Sequence, residues 1–228
     1  MNNQIALVTG ASRGLGLALA SALSREGYTL IIDARDCDAL AKAAAEIGGQ
    51  VTAIPGDIAD PAHRAELATA VQAAGGLDLL VNNAGTLGAH PLPALADYPV
   101  AELRTVFEVN VIAPVALTQL LLPPLRGRGG AVLNITSDAA VEAYAGWGGY
   151  GAAKAALEQA SNVLAAEEQT VRVWWADPGD LRTEMHQQAF PGEDISDRPL
   201  PGAVVPGFLR LIGERLPNGR YRAQELLS

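Results

Sequence analysis

IALVTGASRGLG, residues 5–16, joins a short apolar run to a glycine-rich turn. IALVT (5–9) reads as a buried strand, and TGASRGLG (9–16) opens a helical pattern. Gly10, Gly14 and Gly16 permit a tight turn, close approach of backbone to a ligand, and close packing of helix on sheet. The free N–H groups at the start of the helix then face a pyrophosphate, as in dinucleotide sites. Gly10, Ser12, Arg13, Gly14, Leu15 and Gly16 are therefore the candidate residues of a phosphate end.

The pattern repeats outward from this turn. TLIID (29–33), VTAIP (51–55), LDLLVNN (77–83), AVLNITS (131–137) and VRVWWAD (171–177) read as further strands. Helical patterns lie near 15–26, 37–47, 61–74, 98–122 and 150–168. The strands are continuous apolar runs rather than alternating ones, which marks burial on both faces. Alternating strands and helices with right-handed crossovers predict an α/β fold. The expected form is a single-domain Rossmann-type doubly wound parallel sheet in three α/β/α layers, over residues 1–228. One stretch, AFPGEDISDRPLPGAVVPG (189–207), breaks the periodicity and reads as a substrate loop or lid.

Composition excludes several functions. Hydrophobic residues make up 49% and charged residues 18%, a globular balance. The net charge of -9 disfavours nucleic acid and anionic lipid as partners. Cys37 is the only cysteine, so no intrachain disulfide or cysteine metal cluster forms. His63, His90 and His186 are scattered, and no metal site is expected. No signal-peptide pattern and no apolar stretch long enough to span a bilayer stand out, so a cytoplasmic protein is the expectation.

The spacing TGxxxGxG differs from the GxGxxG of most dinucleotide folds. With it the sequence resembles the short-chain dehydrogenase/reductase family. The resemblance continues through GDIAD (56–60), NNAG (82–85), Asn110 in FEVNV, Ser137 in NITS, YGAAK (150–154) and PGDLRT (178–183). These motifs stand in the family's order and cover nearly the whole chain. The resemblance implies an oxidoreductase that moves hydride between a nicotinamide cofactor and a small carbonyl or alcohol substrate. It implies that Asp57 and Ile58 meet the adenine, that Asn82, Ala84 and Gly85 line the adenosine ribose, and that backbone near Pro178, Gly179 and Leu181, with Thr183, holds the nicotinamide carboxamide.

The second strand ends LIIDARD (30–36). Members that prefer NAD place an acid where Ala34 stands, and Arg35 follows it. Arg13 points to the same region, and two guanidiniums fit a ribose 2′-phosphate. NADP(H) is the preferred cofactor on this reading. Asp33 keeps NAD(H) open, since a shift of one residue would bring its carboxylate to the ribose hydroxyl.

Tyr150 and Lys154 lie four apart, on one helix face. A phenol ionises near ~10, and a neighbouring ammonium favours the phenolate. Tyr150 can then exchange a proton with a carbonyl or alcohol. Gly151, Ala152 and Ala153 allow close approach of that helix. By resemblance, Lys154 also bonds the nicotinamide ribose, Ser137 holds the substrate oxygen, and Asn110 supports a water relay to the lysine. Pro114, four residues beyond Asn110, removes a helical N–H and is expected to free the Asn110 carbonyl.

The expected substrate wall is Ala139, Val141, Tyr144, Trp147, Met185, His186 and Phe190, suited to an apolar carbonyl or alcohol. Asp138, directly after the serine, departs from the usual pattern. Apolar faces on helices 98–122 and 150–168 predict a homodimer or homotetramer. The rival reading is a dinucleotide-binding sensor without turnover, which would have no need of the serine and phenol.

Overall fold

The computed structural model describes residues 4–227. Seven strands form one all-parallel sheet in the order β3-β2-β1-β4-β5-β6-β7. They are β1 (Ile5–Val8), β2 (Thr29–Ala34), β3 (Val51–Pro55), β4 (Leu79–Asn82), β5 (Ala131–Ile135), β6 (Arg172–Asp177) and β7 (Gly219–Arg222). Strands β1, β4 and β5 are buried along their whole length, because helices cover both faces of the sheet. Edge strand β3 is exposed at Thr52, Ala53 and Pro55.

The helices are α1 (Gly14–Arg25), α2 (Cys37–Ile47), α3 (Pro61–Ala74), α4 (Val100–Phe107), α5 (Ala113–Arg128), α6 (Gly148–Glu167), α7 (Glu184–Ala189) and α8 (Val205–Gly213). The core has two halves. One, around Leu19, Trp174 and Phe208, lies on the α1 and α8 side, and the other, around Leu67, Leu117 and Leu121, lies on the α3 and α5 side. Strand order reverses between β1 and β4, so the crevice for a ligand opens at their carboxyl ends.

Three expectations change. The run 98–122 is not one α-helix. Helix α4 passes into a π turn at Glu108–Ile112, and α5 continues to Arg128. The Ala113 N–H reaches back to the Glu108 carbonyl, and Pro114 supplies no N–H to the Asn110 carbonyl. The carbonyl therefore loses its α-helical partner at a widened turn rather than at a simple kink.

The combined helical rod Val100–Arg128 is also long and apolar enough to cross a bilayer, contrary to the reading of the sequence. Here its apolar residues Val106, Ala113, Leu117, Leu121 and Leu125 are fully buried against the rest of the fold.

The stretch 189–207 is less irregular than its composition suggests. Its last residues form a 3-10 turn at Pro201–Ala203 and enter α8, and Ile195, Val204 and Val205 are buried. The Arg182 N–H bonds the Pro199 carbonyl and ties the segment to the end of β6.

Candidate active site

At the first β–α junction, the ends of β1 and β4 are stitched together. The Thr9 hydroxyl accepts from the Asn83 and Ala84 N–H groups. The Asn83 side-chain amide donates to the Thr9 and Gly10 carbonyls at 2.9 and 3.1 Å. Gly10 has φ +65, and a Cβ there would come within 2.9 Å of the Ala84 backbone. A Cβ on Gly16 would lie 2.3 Å from the Gly10 carbonyl oxygen. Helix α1 begins with no side-chain cap from Arg13 and no acid in its first turn. Its leading N–H groups thus favour an anion, and the residues fit a dinucleotide pyrophosphate.

Asn82 is placed differently from the expectation. Its side chain is buried and donates to Asn134 and Thr118 at 2.7 and 3.2 Å. Asn83 is the asparagine that holds the glycine turn. Ile58 is buried in the core, and Asp57 accepts from the Ala59 N–H.

Both oxygens of the Asp33 carboxylate are engaged within the protein. One carboxylate oxygen accepts from the Gly10 N–H at 2.8 Å, and the other meets His63 Nε2 at 3.0 Å. Its residue is 1% exposed. The hydrogen bond that the His63 ring makes to Asp33 holds it above its usual pKa despite burial. Ala34 closes the strand and Arg35 stands exposed beside it. The Arg13 guanidinium pairs with Glu184 on α7.

At the other end of the crevice, α6 approaches closely because its first turns lack side chains. A Cβ on Gly149 would lie 2.4 Å from the Tyr98 ring, and one on Gly151 2.6 Å from the Ala139 carbonyl. Tyr150 and Lys154 are both buried on that face. Lys154 Nζ donates to the Ile135 carbonyl at 2.7 Å and lies 5.5 Å from the Tyr150 ring centroid. An ammonium has two further donors. Asn110 spends its side-chain amide on Thr86, accepting from its N–H at 2.9 Å and donating to its carbonyl at 2.8 Å. This clamp fixes the chain just past Gly85. A Cβ on Gly85 would sit 3.3 Å from Asn110 Oδ1 and 3.8 Å from Lys154 Nζ, so glycine keeps that approach open.

The electrostatics differ from the expectation for the phenol. Burial raises the Tyr150 pKa, the Asp177 and Asp138 carboxylates add to it, and the Ser137 hydroxyl opposes them. Burial also lowers Lys154 to about 8, against the pull of Glu158. The lysine lies over the ring and does not offset the loss of water around the phenol. Tyr150 is thus held neutral, as a proton donor. The Ser137 hydroxyl donates to Asp138 at 2.9 Å, and Asp138 also accepts from Tyr144 at 3.0 Å.

Around Tyr150 the wall is Leu87, Ala139 and Ala189, with Leu92, Trp147, Met185 and Phe190 packed on them. Trp147 meets Tyr150 edge-on at 5.6 Å. Four of the expected wall residues come together, while Val141 and Tyr144 are exposed. His186 contacts Phe190 and lies 3.8 Å from Asp180. Leu87 and Leu92 were missed, because the loop after NNAG carries no periodicity that points it inward. Leu181 is buried, and Thr183 caps α7 by accepting from the His186 N–H. Gly179 has φ +72 after Pro178, which turns the chain back over the crevice.

A doubly wound parallel sheet, a glycine turn at its first crossover and a buried tyrosine–lysine pair across the crevice define a dinucleotide-binding dehydrogenase fold. The chain belongs to the short chain dehydrogenase family, whose sequence model matches residues 4–194. It is 42% identical over 178 residues to a rhamnolipid-biosynthesis 3-oxoacyl-[acyl-carrier-protein] reductase of Pseudomonas aeruginosa, covering 72% of this chain and 66% of that protein. It is 33% identical over 224 residues to the uncharacterized oxidoreductase YciK of Escherichia coli, covering 94% and 88%. A short chain dehydrogenase of Shigella flexneri, solved as a complex with NADP, superposes with a TM-score of 0.92 at 33% identity over 98% of both chains. A counterpart from Escherichia coli, solved with NADPH, superposes at 0.91 over 98% of both chains, also at 33% identity.

Proposed function

We propose that the protein is an NADP(H)-linked oxidoreductase that reduces a small carbonyl compound, and oxidises the corresponding alcohol in reverse. The observation that carries this reading is the burial of Tyr150 and Lys154 on one face of α6, beside Ser137, at the carboxyl ends of the central strands. Ser137 would hold the substrate oxygen and Tyr150 would give it a proton, a role that suits a phenol kept neutral. Lys154 would bind the nicotinamide ribose with the donors left beside the Ile135 bond. Asn110 would hold the loop against the lysine through Thr86 and present its main-chain carbonyl at the π turn. The nicotinamide supplies the hydride; the protein orients and polarises.

The choice of NADP(H) over NAD(H) is supported by Asp33, whose carboxylate is consumed by Gly10 and His63. Arg35 is exposed just past the end of β2, where its guanidinium would suit a 2′-phosphate. The two solved relatives bound to NADP and NADPH agree with this. Self-association is supported by exposed Ile112 and Leu120 on the helical rod and Val163 on α6.

The test is a titration of the purified protein with NADPH and NADH by nicotinamide fluorescence, then a screen of ketones and aldehydes. Tyr150→Phe is expected to keep NADPH affinity and lose turnover. Binding of neither nucleotide, or turnover surviving in Tyr150→Phe, overturns the reading. Tighter NADH binding overturns the cofactor choice.

A further inference from the structure

The short strand β7 carries a guanidinium into the floor of the site. Arg220 Nε donates to Glu158 at 2.9 Å, and its terminal nitrogen donates to the Ser137 carbonyl at 3.2 Å and lies 3.7 Å from Asp177. One side chain thus joins three elements: the end of β5, helix α6 and the end of β6. Thr136 donates to the same Glu158 oxygen at 2.8 Å. Glu158 is one turn beyond Lys154 on the same face of α6. Asp177, at the end of β6, also accepts from the Gly179 N–H at 2.8 Å. The side chains of Arg220, Glu158 and Asp177 are 23%, 12% and 6% exposed, so water screens their charges weakly.

We infer that Arg220 is a positioning residue of the acid–base pair. It fixes the Ser137 main chain and balances the Glu158 and Asp177 carboxylates that would otherwise act fully on Lys154 and Tyr150. The inference rests on the reading of Tyr150 and Lys154 as that pair. The groups facing them are few. Glu158 and the Tyr150 ring face Lys154 from its own helix, and the Ile135 carbonyl accepts from it at the end of β5. Asp177 and Asp138 face Tyr150, and Asp177 in turn feels Asp138, Arg220 and Arg222. Removal of the guanidinium takes away the ion pair that Glu158 makes with Arg220 and leaves that carboxylate one turn from Lys154. The lysine should then hold its proton to higher pH.

The chain has only two lysines, Lys42 and Lys154, and Lys42 is exposed on α2. Incorporation of lysine labelled with carbon-13 at Cε therefore gives two resonances, and Lys42 serves as the internal reference. The expected result for Arg220→Met is an upward move of the Lys154 midpoint by about one pH unit, or about tenfold in its proton affinity. Arg220→Lys keeps the charge and adds a third labelled resonance of its own, absent from the native spectrum; in that variant the Lys154 resonance should regain most of its native midpoint. Glu158→Gln should move the midpoint down, and Arg220→Met added to it should have no further effect. An unchanged midpoint in Arg220→Met, or a shift that survives in the Glu158→Gln background, overturns the inference. If Arg220→Met does not fold, Glu158→Gln alone decides, and an unmoved Lys154 resonance overturns it. The readout needs neither substrate nor cofactor. Absence of turnover would therefore count against the oxidoreductase reading and leave this result standing.

Discussion

Lys154→Met should make the protein more stable at neutral pH while removing its proposed activity. Burial lowers the lysine from 10.5 to about 8. At pH 7 the native state therefore carries an ammonium at a cost of about 3 kcal/mol relative to the unfolded chain. Methionine removes that cost and fills a similar volume. It also gives up the 2.7 Å bond to the Ile135 carbonyl and the contact with the Tyr150 ring, each worth about 1 kcal/mol. The net gain at pH 7 is about 1 kcal/mol, or roughly 2–4 °C in Tm for a chain of this size.

The pH dependence is the sharper test, because the contact terms cancel in it. A lysine depressed in the native state releases its proton there first, so the unfolded chain binds more protons between about 8 and 10.5. Native stability therefore rises with pH across that window. The stability difference should move by about 2.5 kcal/mol in favour of the native protein between pH 7 and pH 10, which turns the advantage of Lys154→Met into a deficit. Urea unfolding of both proteins at the two values measures it. A constant difference, or a variant that gains on the native protein as pH rises, would refute the claim that burial governs this lysine.

Gly16→Ala forces a methyl to 2.3 Å from the Gly10 carbonyl and 2.5 Å from the Asn83 amide. It should cost about 1–3 kcal/mol in urea unfolding and abolish NADPH fluorescence enhancement. Asp138→Asn removes a charge that raises the Tyr150 pKa. The alkaline limb of carbonyl reduction, where the phenol loses its proton, should move to lower pH in a rate profile. His63 has a raised pKa when folded, so its bond to Asp33 stabilises fully below pH 6.5 and fades as pH rises through the folded value. The stability gap between the native protein and His63→Gln, followed by thermal unfolding, should accordingly narrow from pH 6 to pH 8.

The sequence by itself determined whatever depends on neighbours along the chain. The strand, glycine turn and helix over 5–25 were legible because φ, ψ and close packing at Gly10 and Gly16 are local demands. Tyr150 and Lys154 were legible as a pair because four residues make about one helical turn. The parallel sheet followed from unbroken apolar strands, which only burial on both faces explains. Tertiary structure alone decided the rest. Both Asp33 oxygens are engaged only because His63, thirty residues away, meets the second one. Asn82 and Asn83 are adjacent and identical in type, yet only the packing of Asn134 and Thr118 draws Asn82 inward. The direction of the Tyr150 pKa reversed because a sequence shows the nearby ammonium but not how little water reaches the phenol. Arg220 stands in no motif of the sequence. Its role arises where β5, α6 and β6 converge, and no spacing along a chain encodes that meeting.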